Sequence, residues 1–262
     1  MVRPKKHLGQ HFLKDKKLAG KIVGSLTFHN HYTNLLEIGP GKGILSHYLF
    51  DLKDITTWLI EIDHEAFTFL REEFQQHRKH IIHGDFLEQD LTMLGEKFGV
   101  IGNFPYNISS QILFKILDER DHVQEVVGMF QKEVAERICS TEGNKIYGKL
   151  SVLLKAFYSV EYLFTVEPGA FFPVPRVRSA VVRLTRNTVT NLPCSEALFM
   201  TVVKQGFQNR RKTLRNALKP INLPVSFQKL PVLMKRAEQL SVDDFVALCL
   251  KIENIRNGET AP

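Results

Sequence analysis

The 262-residue chain is poor in the features that mark secreted, disulfide-stapled or membrane-spanning proteins. Its three cysteines, Cys139, Cys194 and Cys249, include no CxxC pair. An odd number of widely spaced cysteines excludes a disulfide framework and gives no zinc-knuckle pattern, so we expect a reduced, cytoplasmic protein. No apolar run approaches the roughly 18 residues of a membrane span. The basic start MVRPKKHLGQHF also leads into no signal-peptide core.

The chain does contain an ordinary globular composition with unevenly distributed charge. Hydrophobic residues make up 44% and charged residues 24%, which allows a well-packed core. Most of the positive charge lies in two segments: residues 1–21 carry +6 and residues 176–219 carry +9, whereas residues 22–175 carry −8. Basic segments that flank an acidic body favour a polyanionic partner such as nucleic acid, although charge runs are also typical of solvated helix faces.

Short apolar runs alternate with amphipathic stretches from residue 35 onward. Strands are predicted at residues 35–39, 56–62, 80–84, 99–103 and 123–130, with helical segments such as 64–76 between them. This alternation predicts an α/β fold, an open parallel sheet of the Rossmann-like kind with helices on both faces. Two later runs, 153–164 and 177–185, predict that the sheet finishes with a locally paired edge.

The pattern changes after about residue 188. A loop ends there at Ser195, a predicted N-cap, and the helix that follows is expected to present basic residues at four-residue spacing: Arg211, Arg215 and Lys219. Ser241 is expected to cap a closing helix over 241–254. The sequence therefore predicts two domains, residues 1–187 with the basic amino-terminal segment and a small all-helical domain of residues 188–262.

A glycine-rich loop, EIGPGKG at residues 37–43, follows the first predicted strand of the sheet. A residue without a side chain is needed where a ligand lies against the backbone, so Gly39 is a candidate binding residue, although a tight turn also explains it. Glu61 lies 22 residues after Gly39, about where ribose hydroxyls are bound in dinucleotide-type folds, and Asp85 ends the next strand. Together these residues predict a nucleoside-cofactor site.

The fourth predicted strand ends in the most specific motif of the chain, Asn103-Phe104-Pro105-Tyr106. An adenine amino group is a poor nucleophile because its lone pair is delocalised into the ring. The Asn103 side-chain carbonyl and the Phe104 backbone carbonyl can accept its two hydrogens, Pro105 stiffens the turn and Tyr106 offers a stacking face. The motif therefore predicts methyl transfer to an exocyclic amine, and no general base is required.

The carboxyl-terminal basic residues are the best candidates for phosphate contacts: Arg210, Arg211, Lys212 and Arg215. A solvated helix face is the alternative interpretation. Lys5 and Lys6 form a weaker second candidate. His7 and His11 have no partners at metal-ligand spacing, so no metal site is expected.

Seven segments in this order resemble one family, the ribosomal RNA adenine N6,N6-dimethyltransferases of the KsgA group, which is similar to the Erm methylases. The segments are KKHLGQHFL (5–13), LEIGPGKGILS (36–46), IEID (60–63), GDFL (84–87), GNFPYNIS (102–109), AFFPVPRVRSAVVRL (170–184) and GFQNRRKTLRNAL (206–218). The chain departs from many relatives at His11, where they have Asn, and at Phe104, where Leu is common.

The resemblance implies a class I S-adenosylmethionine-dependent methyltransferase that dimethylates two adjacent adenosines near the 3′ end of 16S rRNA, within the small ribosomal subunit or its precursor. It implies that the cofactor is bound by His11, Leu13, Gly39, Glu61, Asp85 and Asn103. It also implies that Phe171 holds the flipped base opposite Tyr106. A monomer is expected, with neither a membrane nor a metal as partner.

Several other functions remain open at this stage. An Erm-type methylase acting on 23S rRNA is the nearest alternative, and an assembly factor that binds RNA without catalysis is one of a different class. A nicotinamide-dependent oxidoreductase would explain Gly39 and Glu61 but leaves the Asn103–Tyr106 turn without a role. An adenine-specific DNA methylase is disfavoured because the chain has no evident large target-recognition domain.

Overall fold

The computed structural model describes residues 2–223, 227 and 230–256. The strands within these residues are β1 (Phe12–Leu13), β2 (Asn34–Ile38), β3 (Thr56–Glu61), β4 (Ile81–His83), β5 (Phe98–Asn103), β6 (Val123–Gln131), β7 (Tyr158–Val166), β8 (Phe171–Phe172) and β9 (Ser179–Arg186). The α-helices are α1 (Lys16–Val23), α2 (Ser46–Leu49), α3 (His64–Glu73), α4 (Ser109–Asp118), α5 (Lys132–Cys139), α6 (Lys149–Phe157), α7 (Glu196–Gln208), α8 (Leu214–Ala217) and α9 (Val242–Arg256).

Within the described residues, seven strands form one sheet in the order β4-β3-β2-β5-β6-β9-β7. The strands from β4 to β6 are parallel, and β9 is antiparallel to β6. The chain runs outward from β2 in both directions, so the switch in strand order lies between β2 and β5. Ligands of open α/β sheets bind at the carboxyl ends of the strands at such a switch point.

The central strands are apolar along nearly their whole length, because both faces of the sheet are covered. Residues 98–102 of β5 and 123–130 of β6 are all buried. On one face, α1 and the segment around α2 pack in a cluster with the central strands through Ile22 and Leu49. The predicted α/β fold is therefore confirmed.

The predicted strands of the sheet are found in the structure, but two predicted elements differ, one run of the sheet and one helix. The run 153–164 is not one strand, because it is helical in α6 and extended only from Tyr158, where β7 begins beside β9. The helix predicted to run through the basic residues is interrupted, since α7 ends at Gln208 and Asn209 has non-helical angles (φ −126°, ψ 70°). Ser195 and Ser241 accept backbone hydrogen bonds as predicted, from Leu198 and Asp244.

Among the described residues, the chain divides into two compact units. One consists of the chain up to Ala135 together with Ser159–Arg186, and the other of Glu136–Tyr158 together with the chain from Asn187 onward. The second unit thus includes residues 136–158, which the predicted division into 1–187 and 188–262 assigned to the first, because α6 packs against α7 and α9. In the part of the chain that is described, no helix is long and apolar enough to cross a membrane.

Candidate active site

A cavity of about 260 Å³ lies in the first unit at the carboxyl ends of β2, β3 and β5. Eight of the candidate residues named from the sequence line this cavity: His11, Gly39, Glu61, Asp85, Asn103, Phe104, Pro105 and Tyr106. Ile38, Ile60, Phe86 and Ile108 supply apolar walls. Mostly apolar walls with a few convergent polar groups are typical of a cofactor site.

The glycine loop keeps its backbone open to the cavity. Gly39 has a positive φ of 65°, and a Cβ built at this residue would have no atom within 4 Å, so a ligand can lie directly on the backbone. Gly41 is required for a different reason, because a Cβ there would lie 2.7 Å from the Phe12 ring. The Gly41 N–H donates to Glu61 Oε2 at 2.9 Å, and this hydrogen bond holds the loop against the end of β3.

Glu61 is a buried carboxylate at the end of β3. Burial raises its pKa, whereas the hydrogen bonds from the Asp63 and Gly41 N–H groups favour the charged form. Asp85 is half-buried and accepts the Leu87 N–H at 2.9 Å. A carboxylate has about four acceptor positions, so both groups can still accept hydroxyl or amine donors from a ligand.

The turn after β5 holds Asn103 in a defined orientation. Its Nδ2 donates to the backbone carbonyl of His11 at 2.8 Å. The Phe104 ring is buried and packs edge-on against Phe130, and the absence of a side chain at Gly128 makes room for it, since a Cβ there would lie 2.4 Å from the Phe104 ring. The ring of Phe104 therefore serves the core, and its backbone carbonyl is what it can contribute to the cavity.

Tyr106 is fixed at its hydroxyl and along its ring. The hydroxyl shares a hydrogen bond of 2.5 Å with Ser179 Oγ in β9, and burial raises the Tyr106 pKa. The His11 ring stacks on the Tyr106 ring, with centroids 5.4 Å apart and planes 27° apart. His11 Nδ1–H donates in turn to the Pro173 carbonyl at 2.8 Å. The His11 ring thus contacts Tyr106 and Pro173, and the backbone carbonyl of His11 accepts the hydrogen bond from Asn103.

Phe171 and Leu13 lie in the core rather than in the cavity wall. They are partners in the β1–β8 pair, and both belong to the apolar cluster beneath the sheet. Phe171 is 0% exposed, and alternation along the strand leaves Phe172 outside. A contact of Phe171 with the flipped base stays a prediction. Leu13 lines a small neighbouring cavity together with Gly39 and Asn103, so its contact with the cofactor stays a prediction.

Sequence reasoning missed a tether on the amino-terminal segment. Lys5 Nζ forms an ion pair with Asp63, and Gln10 Nε2 donates to the same carboxylate at 3.4 Å. Burial opposes the charge of Asp63, but these contacts and the Glu65 N–H hold its pKa below the usual range. Lys5 is therefore occupied rather than free for a phosphate. The position of Asp63 ahead of an amphipathic segment was a signal for its N-cap role, but not for the pairing with Lys5.

Glu37 is a second missed residue, buried in β2 immediately before the glycine loop. Burial raises the pKa of Glu37 to about 8, and the Ser46 hydroxyl, which donates to Oε2 at 2.5 Å, offsets only part of this effect. Its side chain lines the same small cavity as Gly39 and Asn103. Burial therefore favours the protonated form of Glu37, beside the cofactor loop.

The basic residues of the second unit fall into two groups. Arg210 donates to the backbone carbonyls of Lys145 and Tyr147 and lies 3.9 Å from Glu238, so it makes structural contacts within the second unit, and its predicted phosphate contact stays a prediction. The reason is the turn after α7, which directs Arg210 back onto its own unit. All four predicted residues are exposed: Arg210, Arg211, Lys212 and Arg215. The described residues contain no cluster of His, Cys, Asp or Glu that could hold a metal ion.

Comparison with known proteins identifies the family of the chain. The family model of ribosomal RNA adenine dimethylases matches residues 1–253. A "Ribosomal RNA small subunit methyltransferase A" from Cytophaga hutchinsonii is 55% identical over 248 residues, covering 94% of this chain and 96% of the relative.

Two solved structures are similar over most of the chain. A dimethyladenosine transferase from Plasmodium falciparum has a TM-score of 0.75 and 25% identity, covering 95% of this chain and 99% of that one. The 23S rRNA methyltransferase ErmE has a TM-score of 0.66 and 24% identity, covering 91% and 99%. With a family match over nearly the whole length and a relative of more than half identical sequence, the chain belongs to the ribosomal RNA adenine dimethylase family.

Proposed function

We propose that this enzyme transfers methyl groups from S-adenosylmethionine to the 6-amino groups of two adjacent adenosines near the 3′ end of 16S rRNA, in the small ribosomal subunit or its precursor. The name of the 55% identical relative supports the small subunit as the substrate. ErmE, named for 23S rRNA, supports the shared fold alone at 24% identity. We also infer that the enzyme acts as a monomer in the cytoplasm.

The residues at the cavity fit S-adenosylmethionine. Gly39 presents open backbone, Glu61 and Asp85 present carboxylates to hydroxyl and amino groups, and Ile38, Ile60 and Phe86 supply an apolar slot for the adenine ring. The cofactor, when bound, supplies a methyl group on a positively charged sulfur.

The orientation of Asn103 is the observation that carries the proposal. Because the His11 carbonyl can only accept a hydrogen bond, the NH2 of Asn103 must face it, and Oδ1 is then left as an acceptor on the other side. Oδ1 and the Phe104 carbonyl can bind the two hydrogens of an adenine amine. This pairing favours the geometry in which the nitrogen lone pair is free of the ring and directed at the methyl group.

Positioning supplies most of the rate enhancement on this mechanism. Well-oriented reactants gain roughly 7–11 kcal/mol of barrier reduction from alignment alone. Tyr106, held by Ser179 and His11, gives the extruded base a face on which to stack. The amine proton leaves after transfer, so no side chain is required as a base.

Incubation of the full chain with labelled S-adenosylmethionine and unmethylated ribosomal subunits tests the proposal. The label is then mapped on each rRNA by nuclease digestion and mass spectrometry. We expect N6,N6-dimethyladenosine at two adjacent positions of 16S rRNA and none on 23S rRNA. Label on 23S rRNA would favour the Erm-type activity, and binding to small subunits without any label would favour a non-catalytic assembly factor.

A further inference from the structure

A segment of the first unit beside the cavity has exposed apolar and basic side chains that no part of the proposed chemistry uses. In residues 172–178, called here the 172–178 segment, Phe172, Val174 and Val177 are 57%, 60% and 44% exposed. Arg176 and Arg178 lie among them and are exposed as well. Clustered apolar exposure beside cations is typical of an interaction site rather than of a plain solvated loop.

The position of Phe172 follows from strand pairing. Phe172 lies opposite Phe12 in the antiparallel β1–β8 pair, and directly opposed residues of such a pair project to the same side. Phe12 lines the cavity, so Phe172 stands on the cavity side of the ribbon. Its neighbour Phe171 projects to the other side and is buried.

The next residue links the segment to the target turn. The Pro173 carbonyl accepts the hydrogen bond from the His11 ring, and that ring stacks on Tyr106. One side chain, that of His11, therefore separates the backbone of the 172–178 segment from the Tyr106 ring. The segment is therefore within reach of a polynucleotide whose base stacks on Tyr106.

The charge of the segment matches a polyanion. The sequence has no acidic residue between Glu167 and Glu196. Glu167 lies 3.9 Å from Arg178, but both side chains are mostly exposed, and such surface pairs are weak and easily exchanged. Arg183 of the following strand is paired with Glu161, and Arg176 and Arg178 are the cations within the 172–178 segment itself.

We propose that the 172–178 segment binds the unpaired nucleotides that flank the target adenosine, with Phe172 stacking on a base and Arg176 and Arg178 holding phosphates. An aromatic platform beside arginines is how proteins bind single strands with little sequence preference. The inference rests on the proposed function, since it concerns the RNA that delivers the target base. It assigns RNA contacts to the first unit, in addition to those predicted for the basic residues of the second unit.

The test measures binding of a fluorescein-labelled single-stranded RNA 12-mer with two central adenosines, by anisotropy over a range of KCl concentrations. The variants are Phe172→Ala and the double change Arg176→Gln with Arg178→Gln. The matched controls are Met93→Ala and the double change Lys53→Gln with Lys97→Gln. These exposed residues precede strands β3 and β5, and the cavity lies at the other, carboxyl ends of those strands. Thermal unfolding and S-adenosylmethionine affinity check that each variant is folded.

We expect Phe172→Ala to bind the RNA about tenfold more weakly with an unchanged salt dependence. The double arginine change should flatten the slope of log affinity against log salt by about 1.4, at roughly 0.7 per phosphate contact on a single strand. The controls should stay within about twofold of the unmodified chain. S-adenosylmethionine affinity should not change in any variant.

Folded variants with unchanged RNA affinity and salt slope would overturn the inference. A loss of affinity for intact small subunits alone, with oligonucleotide binding unchanged, would also overturn it, because the surface would then contact a ribosomal protein. Failure of the proposed function is a separate result: the unmodified chain would then place no methyl groups on small subunits. If it does methylate them and the variants match it, only the inference on this segment fails.

Discussion

Asn103 and His11 are joined by a hydrogen bond in which a side-chain amide meets a backbone carbonyl, 2.8 Å apart. The bond spans 92 residues of sequence, and it links the residue just before strand β1 to the end of β5. Because the acceptor belongs to the backbone, side-chain replacement at residue 11 leaves it available.

Replacing Asn103 with Ala should lower the single-turnover methylation rate by at least about 100-fold, since one of the two acceptors for the amine is lost from a preorganised site. RNA affinity should stay within about twofold, because the phosphate contacts lie elsewhere. Quench-flow with labelled cofactor and small subunits measures the rate, and filter binding measures the affinity. The exposed residue Asn191, which does not line the cavity, supplies the control Asn191→Ala, which should retain most of the activity. Parallel loss of rate and RNA affinity would mean that Asn103 has a structural role instead.

The two functions of Tyr106 can be separated. Tyr106→Phe removes only the hydrogen bond to Ser179 and keeps the ring, so we expect methylation within about fivefold of the unmodified enzyme, as for loss of one ordinary hydrogen bond. Tyr106→Ala removes the stacking face and should reduce kcat/KM for the RNA by about 10- to 100-fold. Initial rates over a range of small-subunit concentrations distinguish the two. Equal losses in both variants would assign the effect to the hydroxyl rather than to the ring.

Much of the site could be predicted because it follows strand ends. Gly39, Glu61, Asp85 and Asn103 each lie at or just after the carboxyl end of a parallel strand, and apolar runs mark those ends in the sequence. Side-chain direction in a two-residue strand has no such marker. The choice between Phe171 and Phe172 depends on the pairing of β8 with β1, which local pattern does not reveal.

Pairings between distant residues were also out of reach of the sequence. The contact of Lys5 with Asp63 and those of Arg210 with Lys145 and Tyr147 join residues separated by 58 to 65 positions. A cation looks the same in the sequence whether it faces solvent or a backbone carbonyl. Both residues were therefore placed among the phosphate contacts, and the structure gives them other partners.

We expect the basic residues of the second unit to divide between two roles, RNA binding and stability. Replacing Arg211, Lys212 and Arg215 together with Gln should weaken RNA binding and flatten its salt dependence, because up to three phosphate contacts are lost. Arg210→Gln should instead lower the free energy of unfolding by about 0.5–1.5 kcal/mol, because two hydrogen bonds to backbone carbonyls at a partly exposed position are lost. Urea unfolding and salt titrations of RNA binding on both variants check this division. An unchanged salt slope in the triple variant would mean that RNA is bound elsewhere.

Glu37 should make the stability of the enzyme depend on pH. Its pKa is raised from an ordinary value near 4.5 to about 8 in the folded protein, so the folded state keeps a proton that the unfolded chain releases. The stabilisation is present in full below pH 4.5 and is lost as the pH rises toward 8, by at most about 1.4 kcal/mol per pH unit.

Glu37→Gln should remove this contribution, because an amide stays neutral and still accepts from Ser46. Urea unfolding at pH 5.5 and pH 8 measures the difference between the variant and the unmodified enzyme. We expect the variant to gain stability relative to the unmodified enzyme as the pH rises. A constant difference would show that Glu37 titrates normally.

The most direct measurement is a structure of the enzyme bound to a non-reactive S-adenosylmethionine analogue and a small-subunit rRNA fragment that contains the target adenosines. We predict the 6-amino nitrogen of one adenosine within hydrogen-bond distance of Asn103 Oδ1 and of the Phe104 carbonyl, with its base against the Tyr106 ring and the analogue over Gly39. An amine directed away from Asn103, or a rotated Asn103 that has left the His11 carbonyl, would contradict this mechanism.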